Sequence, residues 1–466
     1  MTHQRASAAC DACRARKVKC HLTTSETKCS ACIELNIDCT SVHPRKKRGP
    51  KNRYVQALRA ELDGKSEQKS YGLEIIAPFP TVQQLIADWF GWIHPVAPIL
   101  HPDRFLEQVA ETHDSASEVS PSFLLLVTSL CAATFASLRR RRHLYAPVTV
   151  DSCLDLAERL GLWQPSNTIT LERSLTIYNF SSAAHHERGI DSALSHRLFA
   201  EAAMSVTYLT YQKSTEMSFM EQQILKRLYW LVYAGQCTCD MHGRRLLVLR
   251  HAHEEVGSLL PLEISDEQLV HWCDADHIDD ACRSQSFVPG LNVLSKLFLV
   301  WQSSQAIPAQ TMANLQEHIS RANSALADLP PKLSWTGETA QSGDFGFDVQ
   351  KVNLKVTQLH IRANLLEQMN TLAKAQSLLI TPNAIIEERH RVVDELLDIL
   401  YHMPTEVFDA NGYSIVPKIR DIGGALLDEL RTGSHGRTLQ ASMNLDRLLA
   451  KLENLDLRPM AQTPYI

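Results

Sequence analysis

The sequence predicts an all-α protein in two parts: a small, metal-held head at the N-terminus, joined by a basic linker to a large helical body. Three observations predict this. Six cysteines between Cys10 and Cys39 repeat one spacing twice. From about Pro78, apolar residues recur three and four apart, and period-two runs with hairpin turns are scarce. Charge is split: residues 1–60 carry 13 Arg or Lys against 4 Asp or Glu, a surplus of +9 in a chain of net charge −5, which leaves −14 on the remainder. A basic head on an acidic body is expected where only the head meets nucleic acid. The boundaries that follow are a head over 1–43, a linker over 44–77 and a body over 78–466, the last long enough to bury a large core.

The head comes first. Cys10, Cys13 and Cys20 read C-x2-C-x6-C, and Cys29, Cys32 and Cys39 repeat that spacing nineteen residues on. Tetrahedral zinc takes four sulfurs, so six thiolates satisfy two ions only if two are shared. By the pseudo-symmetry of the repeat, Cys10 and Cys29 bridge. Cys13 and Cys20 complete one ion, Cys32 and Cys39 the other. Both zincs are structural, because such ligation stabilises small folds that do not form without metal. A disulfide framework is the alternative. Met1 to Ala9 is polar and does not read as a secretory signal, and neighbouring Arg and Lys favour the metal-binding thiolate. A cross-braced zinc fold needs eight ligands, which His21 and His43 do not complete.

The run Ala9-Cys10-Asp11-Ala12-Cys13-Arg14-Ala15-Arg16-Lys17-Val18-Lys19-Cys20, followed by Cys29-Ser30-Ala31-Cys32 and Cys39, resembles the fungal Zn2Cys6 binuclear-cluster DNA-binding domain. The loop from His21 to Lys28 is longer than is common there, without an Asp after the third cysteine or a Pro near the fourth. The resemblance implies a short helix between the second and third cysteines that enters the major groove end on at a CGG-type triplet. It places Arg16 and Lys17 next to the bases, with Lys17 the main reader of guanine O6 and N7. Arg14 and Lys19 are expected on phosphates. A merely solvated face is the plain alternative; four cations in six residues between metal ligands argue against it. The implied protein is a nuclear, sequence-specific regulator of RNA polymerase II transcription. Its implied partners are double-stranded DNA and the transcription machinery or a coregulator.

The linker holds Arg45, Lys46, Lys47 and Arg48 between Pro44 and Pro50, too proline-rich for a helix. An extended basic strap suits the DNA backbone and nuclear import alike; a solubilising linker is the plain reading. Val55, Leu58 and Leu62 then form a stripe of barely one and a half heptads, short of the three or four that a coiled coil needs. The resemblance implies pairing of two subunits through such a segment, so a homodimer stays open.

In the body, Ser122 to Leu138 is apolar and precedes Arg139-Arg140-Arg141-Arg142. It is short for a membrane span and carries Thr128, Ser129, Thr134 and Ser137, so a buried helix is expected, with no membrane partner. Ser218 to Glu221 has capping-box form and opens a helix through Ile224, Leu225, Leu228, Tyr229, Leu231 and Val232. Val352 to Met369 and Val392 to Leu400 repeat the helical period. Phe90 to His101, Lys226 to Tyr233 and Asn411 to Leu427 resemble the fungal-specific transcription factor domain, or middle homology region; the last stretch is similar to its end in regulators of disaccharide use. That resemblance implies a helical regulatory domain.

Other clusters invite narrower readings. His271 to Asp280 is rich in ligand types but reads as a solvated loop before a second metal site. Cys237 and Cys239, beside His242, read as buried structural thiols before a redox sensor. His185-His186 reads as ordinary surface or packed histidine. The chain has no phosphate loop, G-x-S-x-G elbow or H-E-x-x-H helix, and is not expected to be an enzyme. The competing function is a zinc-dependent interaction adaptor or corepressor with non-specific DNA affinity.

Overall fold

A computed structural model describes residues 9–21, 27–42, 72–114, 119–164, 168–244, 249, 256–271, 280–335, 343–375, 383–432 and 437–455. Among these there are helices and no strand. The chain divides into two compact units, residues 1–69 and 70–466. The first holds two single-turn helices, α1 (Asp11–Ala15) and α2 (Ser30–Glu34).

Every secondary-structure element among the second unit's described residues is helical. It begins with α3 (Phe79–Asp88), which continues into a π turn over Trp89–Ile93, and α4 (Pro102–Asp114). The apolar run forms α5 (Pro121–Ser137), buried on nearly every side, which is why it reads as membrane-like in one dimension. No described helix is long and apolar enough to cross a membrane. Helix α6 (Val150–Arg159) is held at its start by Thr149 and Ser152, each capping the other's backbone. Helix α7 (Leu171–Arg188) packs along α5, and α8 (Ala193–Tyr208) packs on α7.

Helix α9 (Phe219–Met241) opens with the expected box: the Ser218 N–H donates to Glu221 Oε2 at 2.9 Å, and the Glu221 N–H to Ser218 Oγ at 3.3 Å. Its Tyr229, Trp230 and Tyr233 are fully buried. Short helices α10 (Val256–Leu259), α11 (Asp266–His271) and α12 (Asp280–Gln285) follow. Helix α13 (Val288–Gln305) joins α9 to a second group around α15 (Phe345–Ala375), where α14 (Met312–Ser324), α16 (Asn383–His402), α17 (Thr405–Ala410) and α18 (Ile415–Thr432) pack, with α19 (Arg437–Leu455) on α18. The two runs read as helical, Val352 to Met369 and Val392 to Leu400, lie in α15 and α16.

Buried charges pin these helices. Arg227, 1% exposed, donates to Asp266 at 2.5 Å and to the Pro98 carbonyl at 3.0 Å; His94 contacts the other Asp266 oxygen at 3.0 Å. Burial raises the Asp266 carboxyl, but His94 and Arg227 overcome that and hold it well below the usual range. The stretch around His94 and the aromatic helix, far apart in sequence, thus meet at one carboxylate. The arginine run is likewise spent internally. Arg141 grips Asp88 with two bonds of 2.9 Å, Arg140 reaches Asp409 at 2.8 Å, Arg142 pairs with Glu187, and Arg139 donates to the His186 carbonyl.

Candidate metal centre and nucleic-acid interface

Cys10 caps α1 in extended conformation, and its Sγ accepts the Cys13 N–H at 3.4 Å. The chain then turns back: the Val18 N–H donates to the Cys13 carbonyl at 3.1 Å, with Lys17 left-handed at φ 57°. The second half repeats this nineteen residues on. The Ile37 N–H donates to the Cys32 carbonyl at 3.1 Å, and Asn36 is left-handed at φ 51°. The Cys10 N–H points at Cys20 Sγ (3.5 Å) as the Cys29 N–H does at Cys39 Sγ (3.4 Å). Two reciprocal bonds join the halves, Asp11 N–H to the Thr40 carbonyl at 2.8 Å and Ser30 N–H to the His21 carbonyl at 3.1 Å. The doubled spacing is therefore a doubled backbone.

The sulfurs converge. Cys10, Cys13, Cys29 and Cys32 are buried together. Cys10 and Cys29 sulfurs lie 3.8 Å apart, Cys10 and Cys32 3.7 Å, Cys13 and Cys29 3.5 Å. A disulfide needs about 2.05 Å, so these pairs are not bonded. The edge of a ZnS4 tetrahedron with 2.3 Å bonds is about 3.8 Å, which the separations match. Two sets of four sulfurs lie within 4.8 Å of one another, Cys10, Cys13, Cys20 and Cys29, and Cys10, Cys29, Cys32 and Cys39, and both contain Cys10 and Cys29. The donor set fits two zinc ions. The Cys13 backbone N–H brings the Cys10 thiol down to about 6, whereas burial pushes Cys13 up and Cys32 up to about 12. Bound cations offset that burial by holding the sulfurs as thiolates.

Of the expected DNA-contacting side chains, Arg14 stands in α1 and Arg16, Lys17 and Lys19 follow it. Arg14, Arg16, Lys17 and Lys19 are all exposed. Arg14 is tied to Asp11 at 2.5 Å, and Asp11 also accepts the Val42 N–H at 2.7 Å. Arg16, Lys17 and Lys19 make no ion pair among the described residues. The helix differs from expectation. It starts after the first cysteine, contains the second and stops at Ala15, because Val18 must return to Cys13 and Lys17 leaves right-handed space. Arg45, Lys46, Lys47 and Arg48, and the stripe of Val55, Leu58 and Leu62, lie outside the described residues.

Residues 8–49 match the family model described as the fungal Zn(2)-Cys(6) binuclear cluster domain. The chain carries a fungal Zn2Cys6 cluster and is homologous to fungal Zn2Cys6 transcription factors. The maltose fermentation regulatory protein MAL33 of Saccharomyces cerevisiae is 23% identical over 93% of this chain and 87% of its own length. MAL13 of the same yeast, another maltose fermentation regulatory protein, is 24% identical over 49% of this chain; the match spans about half, 48%, of that relative. The azaphilone cluster-specific transcription factor azaR of Aspergillus niger is 20% identical over 72% of this chain and 77% of its own. No solved structure matches. The zinc-cluster head thus brings two structural zinc ions as cofactors.

The remaining clusters of the zinc-cluster protein resolve differently. Cys237 and Cys239 are buried, and burial raises their thiols to about 12 and about 11, the inert state. His242 turns to Asp421 at 2.8 Å, whose same oxygen meets His360 at 3.0 Å. Those three residues come from three separate parts of the chain, so no local spacing announces them. His186 is half-buried and bonded to Ser137 Oγ at 2.9 Å. Of the acidic, histidine-containing loop, residues 272–279 lie outside the described residues.

Proposed function

We propose that this chain is a zinc-dependent, sequence-specific DNA-binding regulator of RNA polymerase II transcription that acts in the nucleus and reads CGG-type half-sites. The observation that carries this is the turn after α1: three exposed cations, Arg16, Lys17 and Lys19, on a backbone held by the sulfur cluster. A fixed cationic turn suits base-edge hydrogen bonding, where a flexible one would lose that energy to ordering. In this reading Cys10 and Cys29 bridge two zincs, and Lys17 and Arg16 read bases. Arg14 and Lys19 hold phosphates, and Arg45 to Arg48 follow the backbone. The body over 78–466 is the regulatory domain, open to a coregulator and to a second copy of the chain. The maltose regulators support a role in controlling carbohydrate-use genes.

The test is a titration of zinc-loaded full-length protein against CGG-containing and scrambled duplexes across salt. Preference for the CGG duplex that persists as salt rises is the expected result. Equal, steeply salt-dependent affinity for both would favour an interaction adaptor with non-specific DNA affinity.

A further inference from the structure

A cavity of about 200 Å³ lies in the body among residues of α7, α8, α9, α13, α15, α17 and α18. That is somewhat larger than the roughly 150 Å³ apolar cavity that takes up benzene. Its wall is largely apolar, with Phe199, Leu231 and Phe298, and exposed His196 marks a rim at the surface.

One charge lines this wall. Lys418 is 4% exposed, yet its Nζ donates to Thr357 Oγ1 at 2.8 Å and otherwise lies 5.8 Å from the Phe298 ring. An ammonium has three donors, and burying one without an anion is costly. Among the described residues no carboxylate pairs with Lys418: Asp421, one turn on, is held by His242 and His360. Burial lowers Lys418 to about 8, so it stays mostly protonated at neutral pH. A buried cation without an anion of its own, beside an apolar space, is unbalanced as packing and suited to an anionic ligand.

We propose that this cavity binds a small monocarboxylic acid, its carboxylate paired with Lys418 and an apolar part filling the space between Phe199 and Phe298. Scaling from the benzene-sized cavity, the ligand has roughly eight to ten non-hydrogen atoms. Its role as the effector of the regulatory body rests on the function proposed above; its binding does not.

The experiment is calorimetric titration of zinc-loaded full-length protein with sodium phenylacetate and with phenylacetamide, the same shape without charge. The acid binds at least tenfold more tightly at pH 7, and its affinity falls about tenfold per pH unit well above the Lys418 titration. Lys418→Met keeps the thermal midpoint and the amide affinity but loses the preference for the acid. Equal affinities, no binding of either compound, or an acid preference that survives Lys418→Met overturns the proposal. If Lys418→Met does not fold, the pH series on the unmodified protein decides alone. DNA affinity of the same preparation, measured with and without phenylacetate, separates the readings: a failed ligand titration with intact CGG preference rejects only the cavity proposal.

Discussion

Lys17 combines an exposed charge with a backbone conformation that non-glycine residues seldom hold, at a cost of about 1–3 kcal/mol. The Val18-to-Cys13 bond and the flanking sulfurs hold it there. A charge so placed is aimed, and truncating it removes direction as well as attraction. Lys17→Ala is expected to cost about 1–3 kcal/mol on a CGG site and much less on random DNA, read by competition titration. Equal losses on both duplexes would make Lys17 a phosphate contact. At this scale the sequence was highly legible: cysteine chemistry and count already imply shared ligands, since four sulfurs per zinc leaves few arrangements. The left-handed turn was not legible, because nothing in Arg-Lys-Val marks φ at one position, and the helix limits shifted with it.

At the scale of elements, the head is two five-residue helices that could not persist alone, since a single turn lies far below the length at which helices form in water. Metal must supply the difference. Chelation of the full-length protein is expected to abolish CGG preference while the helical signal of the body stays close to its starting value by circular dichroism; retained selective binding after complete zinc removal would contradict it. In the body, the sequence showed where helices lie because apolar period survives in one dimension. It did not show which helices meet at Asp266, where His94 and Arg227 arrive from distant segments. Asp266→Ala leaves Arg227 buried and unpaired and should destabilise the body by about 3–5 kcal/mol in urea unfolding. A loss below 1 kcal/mol would show the pair to be dispensable. The arginine run after α5 was likewise not assigned from the sequence, because its partners, an aspartate or glutamate or a carbonyl, come from other elements.

At the scale of the molecule, charge and protons decide behaviour. Neutralising Arg45, Lys46, Lys47 and Arg48 is expected to weaken all duplexes alike and lower the slope of log affinity against log salt; a collapse of discrimination at constant slope would assign them to base reading. Acid should loosen the body. Burial holds His360 down to about 4 from an ordinary 6.5; Asp421 works against that, and His242 and Lys418 reinforce it. The unfolded chain therefore binds the extra proton between those values. This contribution to stability is complete above 6.5 and declines as pH falls towards 4, by about 2 kcal/mol at pH 5. Urea midpoints at pH 7 and 5 measure it, and His360→Gln should flatten the difference; identical midpoints in the unmodified protein would refute it. Charge asymmetry was legible from composition alone, whereas the cavity and its lysine were not, because α15, α17 and α18 contribute to it from positions that carry no shared spacing.

The twin halves of the head have matching backbones and opposite electrical character. Positions 14–19 carry four cations, while their counterparts at 33–38 carry Glu34 and Asp38 and no cation. Backbone form thus leaves both flanks of the cluster equally able to face a polyanion, and ionic content alone picks the side. Transplanting the cationic hexad onto the second flank, with the acidic one moved to the first, would turn the head about its own near-dyad rather than disable it.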